Sequence, residues 1–243
     1  MIGNPASNAI RAALAGEGIG VDGVVDTATA ATGTALIIVD PAGENQIAVA
    51  PGANRALTVE QVSSREADFA WAQVVVCQLE IPLDSVAAAL ALARRHDAIT
   101  VLNPAPVPAS ALDVLPLVDY LTPNAGEAER LTGLALRASK DVGAAARALR
   151  EAGARTVIVT LGKDGAFADG VESAHVPAFS VQAIDTTAAG DAFNGGLAVA
   201  LAEGHPLPDA LAFASAAAAL TCTRRGAQAS LPTREEVARL RDA

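Results

Sequence analysis

The segment from Asp185 to Gly196, which reads DTTAAGDAFNGG, is the part of the chain best suited to chemistry. The small residues Ala188, Ala189 and Gly190 leave their backbone N–H groups open to a ligand, and an apolar helical pattern follows them. The N-terminus of a helix supplies free N–H donors and a partial positive charge. Together these features predict an anion site suited to a phosphoryl group in transfer.

Asp191 stands at the beginning of the predicted helix and is the candidate general base. A carboxylate at this point can accept a hydroxyl proton while the alcohol attacks phosphorus in line. A purely structural interpretation is also available, with Asp191 as a helix N-cap and Gly195 and Gly196 as points of close packing. The segment alone leaves both interpretations open.

The elements that must position this segment follow from the apolar periodicity, which switches repeatedly between strand-like and helix-like. We expect strands at Gln73–Leu79, Ile99–Leu102, Val118–Leu121 and Thr156–Leu161. We expect helices at Asn4–Ala15, Asp84–His96, Asn124–Thr132, Ser139–Ala152, Asp191–Ala202, Leu207–Thr223 and Thr233–Arg241. Such alternation predicts an α/β fold with a parallel sheet, whose ligands bind at the carboxyl ends of the strands.

Two short apolar runs near the N-terminus, Thr34–Val39 and Gln46–Ala50, have a different character. The residues between them include Pro41 and Gly43, which are typical of a turn. This pattern predicts a β-hairpin.

Composition excludes several classes of function. The chain has 17 basic and 27 acidic side chains and a formal net charge of −10, which argues against a nucleic-acid partner. A nucleotide remains compatible, because a local cluster of backbone amides can hold phosphate in an acidic protein. We find no basic leader followed by an apolar stretch, and Leu207–Thr223 is too short and too weakly apolar to span a bilayer. We expect a cytoplasmic protein with no membrane partner.

The segment from Asp185 to Gly196 resembles the signature of the ribokinase-like (PfkB) family of carbohydrate kinases. The resemblance implies a three-layer α/β/α fold with a mostly parallel central sheet and a partial β-lid. It implies that Asp191 is the catalytic base and that the amides of Ala188, Ala189 and Gly190 form the anion hole. The family usually has Gly-Ala-Gly-Asp here, and the Ala-Ala-Gly-Asp of this chain looks more like the members that act on ribose.

Further matches run in order along the chain. Glu80, after the first predicted parallel strand, resembles a family residue that holds the sugar, and Leu102–Pro106 resembles a stretch after the next strand. The resemblance implies ATP contacts for Asn124, Glu127, Thr160, Leu161, Gly162, Lys163, Asp164, Gly165, Gly190 and Ser215, and it implies that Glu127 organises the hydration shell of Mg²⁺. Structural alternatives stay open: Asn124 and Glu127 have capping-box spacing, and the residues after Thr160 suit a plain turn.

A monovalent-cation site, usually for potassium, is also implied by the resemblance. The matching residues are Asp185, Thr187, Thr221, Arg224, Gly226 and Ser230. Hard cations take oxygen ligands, often backbone carbonyls.

One expected segment is not found. The family normally opens with a strand that ends in a sugar-binding Asp, followed by a Gly-Gly-Lys-Gly segment and lid strands, and we find none of these before Val25. We therefore expect residues 1–243 to be a single kinase domain that is N-terminally truncated, with residues 34–50 as the remaining lid hairpin. A homodimer through the lid is possible in this family.

Three functions remain open from the sequence. The first is transfer of the γ-phosphoryl group of ATP to the terminal (5-) hydroxyl of D-ribose. The second is a related kinase for deoxyribose, fructose or a nucleoside. The third is a non-catalytic nucleotide-binding fragment. The intact Asp191 favours catalysis.

Overall fold

The computed structural model describes residues 2–3, 7–39, 45–109 and 112–242. Its N-terminal part contains β1 (Ile2–Gly3), α1 (Ser7–Gly16) and β2 (Asp26–Thr27), with β1 and β2 paired in parallel. The predicted hairpin is confirmed as β3 (Thr34–Val39) and β4 (Asn45–Ala50), which pair antiparallel. Its predicted turn, residues 40–44, lies outside the described residues, as does the beginning of the predicted first helix at Asn4.

The central sheet has six strands. After two short helices, α2 (Val59–Ser63) and α3 (Glu66–Trp71), come the parallel strands β5 (Val74–Cys77), β6 (Ile99–Leu102), β7 (Tyr120–Leu121) and β8 (Thr156–Thr160). The strands β9 (Ala166–Asp169) and β10 (Ala174–Val176) extend the sheet antiparallel beyond β8. The spatial order is β10-β9-β8-β7-β6-β5, so the sheet is mostly parallel, as expected.

Helices cover both faces of this sheet. They are α4 (Leu83–Arg95), α5 (Ala125–Thr132), α6 (Ser139–Glu151), α7 (Ala189–Ala202), α8 (Leu207–Thr221) and α9 (Arg234–Arg241). Residues that are adjacent along a strand point to opposite faces of the sheet. On one face, Leu102 and Val157 pack in an apolar cluster with α4, α5 and α6. Val101 and Ile158 pack in a second cluster with α7, α8 and α9. This alternation is the period of two expected of a strand buried on both sides, and it makes the fold a three-layer α/β/α sandwich.

Small residues bring α7 and α8 close together. A Cβ on Gly196 would lie 3.0 Å from the Cα of Ala214, so a larger residue would push the two helices apart. The close-packing role considered for Gly196 is thus confirmed. Within the part of the chain that the structure describes, every helix is too short or too polar to cross a membrane.

Candidate active site at the carboxyl ends of the strands

The beginning of α7 has the geometry of an anion site. Ala188 precedes the helix in the left-handed region, with φ 60° and ψ 9°, and no side chain caps the helix. Among the described residues, no acceptor faces the N–H groups of Gly190 and Asp191, whereas the N–H of Ala189, also predicted as an anion donor, already donates to the Thr186 carbonyl at 3.3 Å. The Gly190 and Asp191 donors are therefore available to an anion, and the helix dipole adds partial positive charge at the same point.

Asp191 lies in the first turn of α7, as predicted, and its side chain is accessible. Partial desolvation of its carboxyl raises the pKa of Asp191 above the ordinary value of 3.8. A raised pKa makes this carboxylate a stronger proton acceptor than a fully hydrated one.

The predicted pair of Asn124 and Glu127 meets at the end of β7. Asn124 is the N-cap of α5: its Oδ1 accepts from the Glu127 N–H at 2.8 Å, and Glu127 Oε2 accepts from the Asn124 N–H at 2.8 Å. The capping-box interpretation is therefore confirmed. Glu127 is only 7% exposed, and its desolvation raises the pKa of the carboxyl. Capping fixes the pair beside the end of β8, because Thr160 forms an isolated parallel bridge with Asn124.

The predicted nucleotide turn follows β8. Residues Gly162–Asp164 form one turn of 3-10 helix, and the Leu161 N–H donates to the Gly165 carbonyl at 2.8 Å. Gly165 has φ 92° and is buried. Lys163 is exposed on the turn, whereas Leu161 packs against the apolar core. The carbonyl of Asp164 lies within hydrogen-bond distance of the His175 ring.

A cavity of about 560 Å³ joins this turn to the beginning of α7. Its walls include Thr160, Gly162, Lys163 and Gly165 from the turn, Ala189 and Gly190 from α7, and Ser215, Ala218 and Cys222 from α8 and its end. Phe179 and Val181 contribute apolar surface from the segment after β10. The lining thus combines backbone amides of α7 and the side chain of Lys163 with apolar side chains.

The loops predicted to hold a monovalent cation also meet. Asp185 Oδ1 accepts from the Thr187 N–H at 2.9 Å, and Oδ2 accepts from the Gly226 N–H at 3.0 Å. These hydrogen bonds lower the pKa of Asp185 to about 2, and the bond from the Gly226 N–H has the largest effect. The side chains of three other predicted residues are engaged elsewhere: Thr221 Oγ1 donates to Ala217 O, Ser230 Oγ donates to Ala227 O, and Arg224 pairs with Glu236. A cation could be bound by the backbone carbonyls of these residues or by the lone pairs of the two hydroxyl oxygens, but not by the guanidinium of Arg224.

Glu80 lies in the loop after β5, at the same edge of the sheet as the other residues. Its carboxylate is exposed and accepts no hydrogen bond from the described residues, while its N–H donates to Gln78 Oε1 at 2.6 Å.

Asn103, after β6, donates from Nδ2 to the Thr122 carbonyl at 2.9 Å. Asn103 therefore has a structural partner at this edge.

Some site residues escaped the sequence analysis. Cys222, Phe179 and Val181 line the cavity, and the buried residues Thr122 and Asn194 form a hydrogen bond beneath the beginning of α7. Asn194 lies inside the segment that we singled out, but its type carries no local signal of a role. Contacts between distant parts of the chain are needed to find these residues.

Comparisons with known proteins match most of the chain. The model of the family described as "pfkB family carbohydrate kinase" matches residues 1–234. A ribokinase from Haemophilus influenzae is 41% identical over 228 residues, which are 93% of this chain and 74% of that relative.

Solved structures give the same result for the fold. A ribokinase from Thermotoga maritima superposes with a TM-score of 0.88 at 38% identity, covering 100% of this chain and 80% of that one. A ribokinase from Arabidopsis thaliana, solved in complex with ribose and ATP, superposes with a TM-score of 0.92 at 27% identity, again over 100% of this chain and 80% of that one.

Proposed function

The chain belongs to the pfkB family of carbohydrate kinases, and from that premise we propose that it transfers the γ-phosphoryl group of ATP to the terminal hydroxyl of D-ribose. The observation that carries the proposal is the position of the α7 N-terminus, where Ala189 and Gly190 line the cavity and directly precede Asp191 in the chain. The similarity to ribokinases, one of them solved with ribose and ATP, supports ribose as the acceptor.

In this proposal Asp191 accepts the proton of the attacking sugar hydroxyl. Its raised pKa suits a general base, since the proton affinity of the carboxylate is increased by desolvation. The N–H groups at the beginning of α7 stabilise charge on the oxygens of the moving phosphoryl group. Positioning and electrostatics supply most of the catalysis in phosphoryl transfer, so these two features are the essential ones.

The cavity suits a nucleotide in size and polarity. Sites for ligands of this size have volumes of roughly 300–1,000 Å³, and the cavity has about 560 Å³. We assign the nucleotide base to the part of the cavity lined by Phe179, Val181 and Ser215. We assign the phosphates to the part lined by Lys163 and the α7 amides. An aromatic ring and aliphatic side chains favour a flat base, and the ammonium of Lys163 favours phosphate.

The pair of Asn124 and Glu127 fits a hydrated magnesium ion. Glu127 Oε2 accepts from the Asn124 N–H, and its other oxygen, Oε1, accepts no hydrogen bond from the described residues. Magnesium prefers oxygen ligands and keeps several of its waters, so one oriented carboxylate together with the phosphates of the nucleotide would hold it. When bound, the ion neutralises charge on the phosphates.

Potassium is proposed at the loops around Asp185 and Gly226. The low pKa of Asp185 keeps its carboxylate charged, and the backbone carbonyls of both loops supply oxygen atoms for a large monovalent cation. Turnover is then faster in potassium than in a buffer free of sodium and potassium. Equal rates in the two buffers would refute this part of the proposal.

The lid role of residues 34–50, a dimer and a cytoplasmic location remain predictions.

Product analysis tests the choice of sugar. The chain is incubated with ATP and Mg²⁺ and with D-ribose, 2-deoxyribose, fructose or a nucleoside, and ADP and the sugar phosphate are measured. We expect the highest kcat/KM with ribose and phosphate on its 5-hydroxyl. A higher value with another acceptor would reassign the substrate, and nucleotide binding without any turnover would support a non-catalytic role.

A further inference from the structure

A hydrogen-bonded pair of buried side chains lies directly beneath the beginning of α7. Thr122, at the end of β7, is 1% exposed, and Asn194, in the second turn of α7, is 6% exposed. Thr122 Oγ1 lies 2.7 Å from Asn194 Oδ1, and Asn194 Nδ2 lies 2.8 Å from the carbonyl oxygen of Gly190. The two contacts connect the central sheet to the peptide group before Asp191.

The direction of each hydrogen bond follows from the chemistry. The Gly190 carbonyl can only accept, so the amide of Asn194 must turn its NH₂ group toward Gly190 and its oxygen toward Thr122. That oxygen needs a donor, and the single proton of the Thr122 hydroxyl supplies it. The other acceptor near this hydroxyl, Leu102 O, is farther away at 3.3 Å. The Gly190 carbonyl therefore sets the orientation of the Asn194 amide, and the Thr122 hydroxyl supplies the donor that the amide oxygen then needs.

Thr122 is itself held firmly by the sheet. Its N–H donates to Leu102 O at 3.0 Å, and its carbonyl accepts from Asn103 Nδ2 at 2.9 Å. Two residues further along the chain is Asn124, which caps α5 and is fixed to Glu127. The same strand end thus positions the Asn124–Glu127 pair and, through Asn194, the beginning of α7.

The contact to Gly190 has a direct consequence for the anion site. The Gly190 carbonyl and the Asp191 N–H belong to one planar peptide group, so a bond that fixes the carbonyl also fixes the direction of the N–H. Asn194 Nδ2 adds a donor to this carbonyl from beneath the helix. The peptide before the candidate base is therefore held by the sheet as well as by the helix.

We infer that Thr122 and Asn194 are positioning residues that hold the α7 anion site and Asp191 in register with the strand end carrying Asn124 and Glu127. Neither residue needs to touch a substrate for this role. The inference rests on the proposed kinase function where it concerns turnover, and on the hydrogen-bond geometry alone where it concerns the order of α7.

The substitution Thr122→Val tests the inference, because it keeps the shape of the side chain and removes the hydroxyl. We expect kcat to fall by about tenfold to a hundredfold, as expected for a small misplacement of catalytic groups. The KM for ATP stays within about twofold, since Thr122 does not line the cavity. Thr122→Ser restores the donor and should recover kcat to within about threefold of the unmodified chain.

Thr100→Val is the matched control. Thr100 is equally buried on the neighbouring strand β6, and its hydroxyl bonds Leu117 O and Asp119 at the opposite end of the sheet. This variant loses stability but keeps kcat. A fall in kcat that is equal in Thr122→Val and Thr100→Val would refute the positioning role.

Hydrogen–deuterium exchange supplies a measurement that needs no turnover. In Thr122→Val, the amides of residues 192–194, which are hydrogen-bonded at the beginning of α7, should exchange about tenfold faster, while Thr100→Val leaves them unchanged. Should Thr122→Val fail to fold, Asn194→Asp replaces it, because a carboxylate of the same shape cannot donate to Gly190 O. If the unmodified chain shows no sugar-dependent turnover, the proposed function fails and the exchange result alone decides. Unchanged exchange in residues 192–194 would overturn the inference.

Discussion

The nucleotide turn after β8 depends on a glycine at position 165, and Gly165→Ala tests this dependence. Gly165 has φ 92° and ψ −138°, a conformation that residues with a side chain rarely adopt. A Cβ at this position would lie 2.0 Å from the carbonyl oxygen of Val176 and 2.8 Å from the nitrogen of Ala178. Both are backbone atoms, so the clash cannot be relieved by rotating a side chain.

The expected cost has two parts. The unfavourable backbone conformation costs about 1–3 kcal/mol, and displacing the backbone around Val176 costs a further 1–3 kcal/mol or so. We therefore expect Gly165→Ala to lower the free energy of unfolding by about 2–6 kcal/mol. For a chain of this size, the melting temperature should fall by roughly 10 °C. ATP binding should weaken as well, because Ala178 and Phe179 line the cavity just beyond Val176.

Gly162→Ala is the matched control in the same turn. Gly162 also has a positive φ, 58°, but a Cβ there meets no atom within 4 Å. Only the conformational cost remains, about 1–2 kcal/mol. Urea denaturation followed by circular dichroism, with ATP titrations on the folded variants, measures both effects. Equal urea midpoints for the two alanine variants would show that the contact with Val176 does not constrain the turn.

Three further predictions concern the α7 end of the site. The pKa of Asp185 is lowered from 3.8 to about 2, so its carboxylate stabilises the folded chain above about pH 4, and this contribution is lost as the pH falls toward 2. The difference in urea midpoint between the unmodified chain and Asp185→Asn should therefore shrink over that interval, and a difference independent of pH would contradict the assignment. Ala188 has φ 60°, so Ala188→Gly should relieve strain and raise the melting temperature by about 3 °C, while the β-branched Ala188→Val lowers it by about 5 °C; equal melting temperatures would argue against strain at this position. Because the pKa of Asp191 is raised, the acidic limb of the kcat/KM profile should lie above pH 3.8, and an inflection below that value would exclude Asp191 as the titrating base.

The fold was largely predictable because its strands and helices carry strong periodic signals. The strand Ile99–Leu102 occurs as predicted, and the helix predicted at Thr233–Arg241 occurs as α9, whose beginning is fixed by a capping box of Thr233 and Glu236. The predicted strand Val118–Leu121 is shorter, beginning at Tyr120, because residues Leu115–Leu117 form a 3-10 turn just before it.

Other elements were missed for physical reasons. The helices α2 and α3 have five and six residues, which is too short for a helical period to emerge. The buried positions of β9 are Ala166 and Ala168, whose small side chains give a weak apolar alternation. The antiparallel end of the sheet therefore left little trace in the sequence.

The candidate site was predictable where its residues lie close to one another in the sequence. The beginning of α7, the Asn124–Glu127 pair and the turn after β8 each lie within a short segment with a recognisable pattern. The bond from Thr122 to Asn194 spans 72 residues and joins two polar side chains in a buried layer. Only the three-dimensional packing brings these residues together, so no spacing rule could have paired them.

The most direct test of the account is to measure turnover and ATP binding in the unmodified chain and in Asp191→Asn. The control is Asp209→Asn, since Asp209 occupies the first turn of α8, also as an exposed carboxylate. We predict ribose-dependent ADP formation in the unmodified chain and in the control. In Asp191→Asn, turnover should fall by about 10²–10⁴-fold, while the Kd for ATP measured by calorimetry stays within about threefold. Turnover that survives in Asp191→Asn, or ATP binding lost together with turnover, would contradict a catalytic base at Asp191.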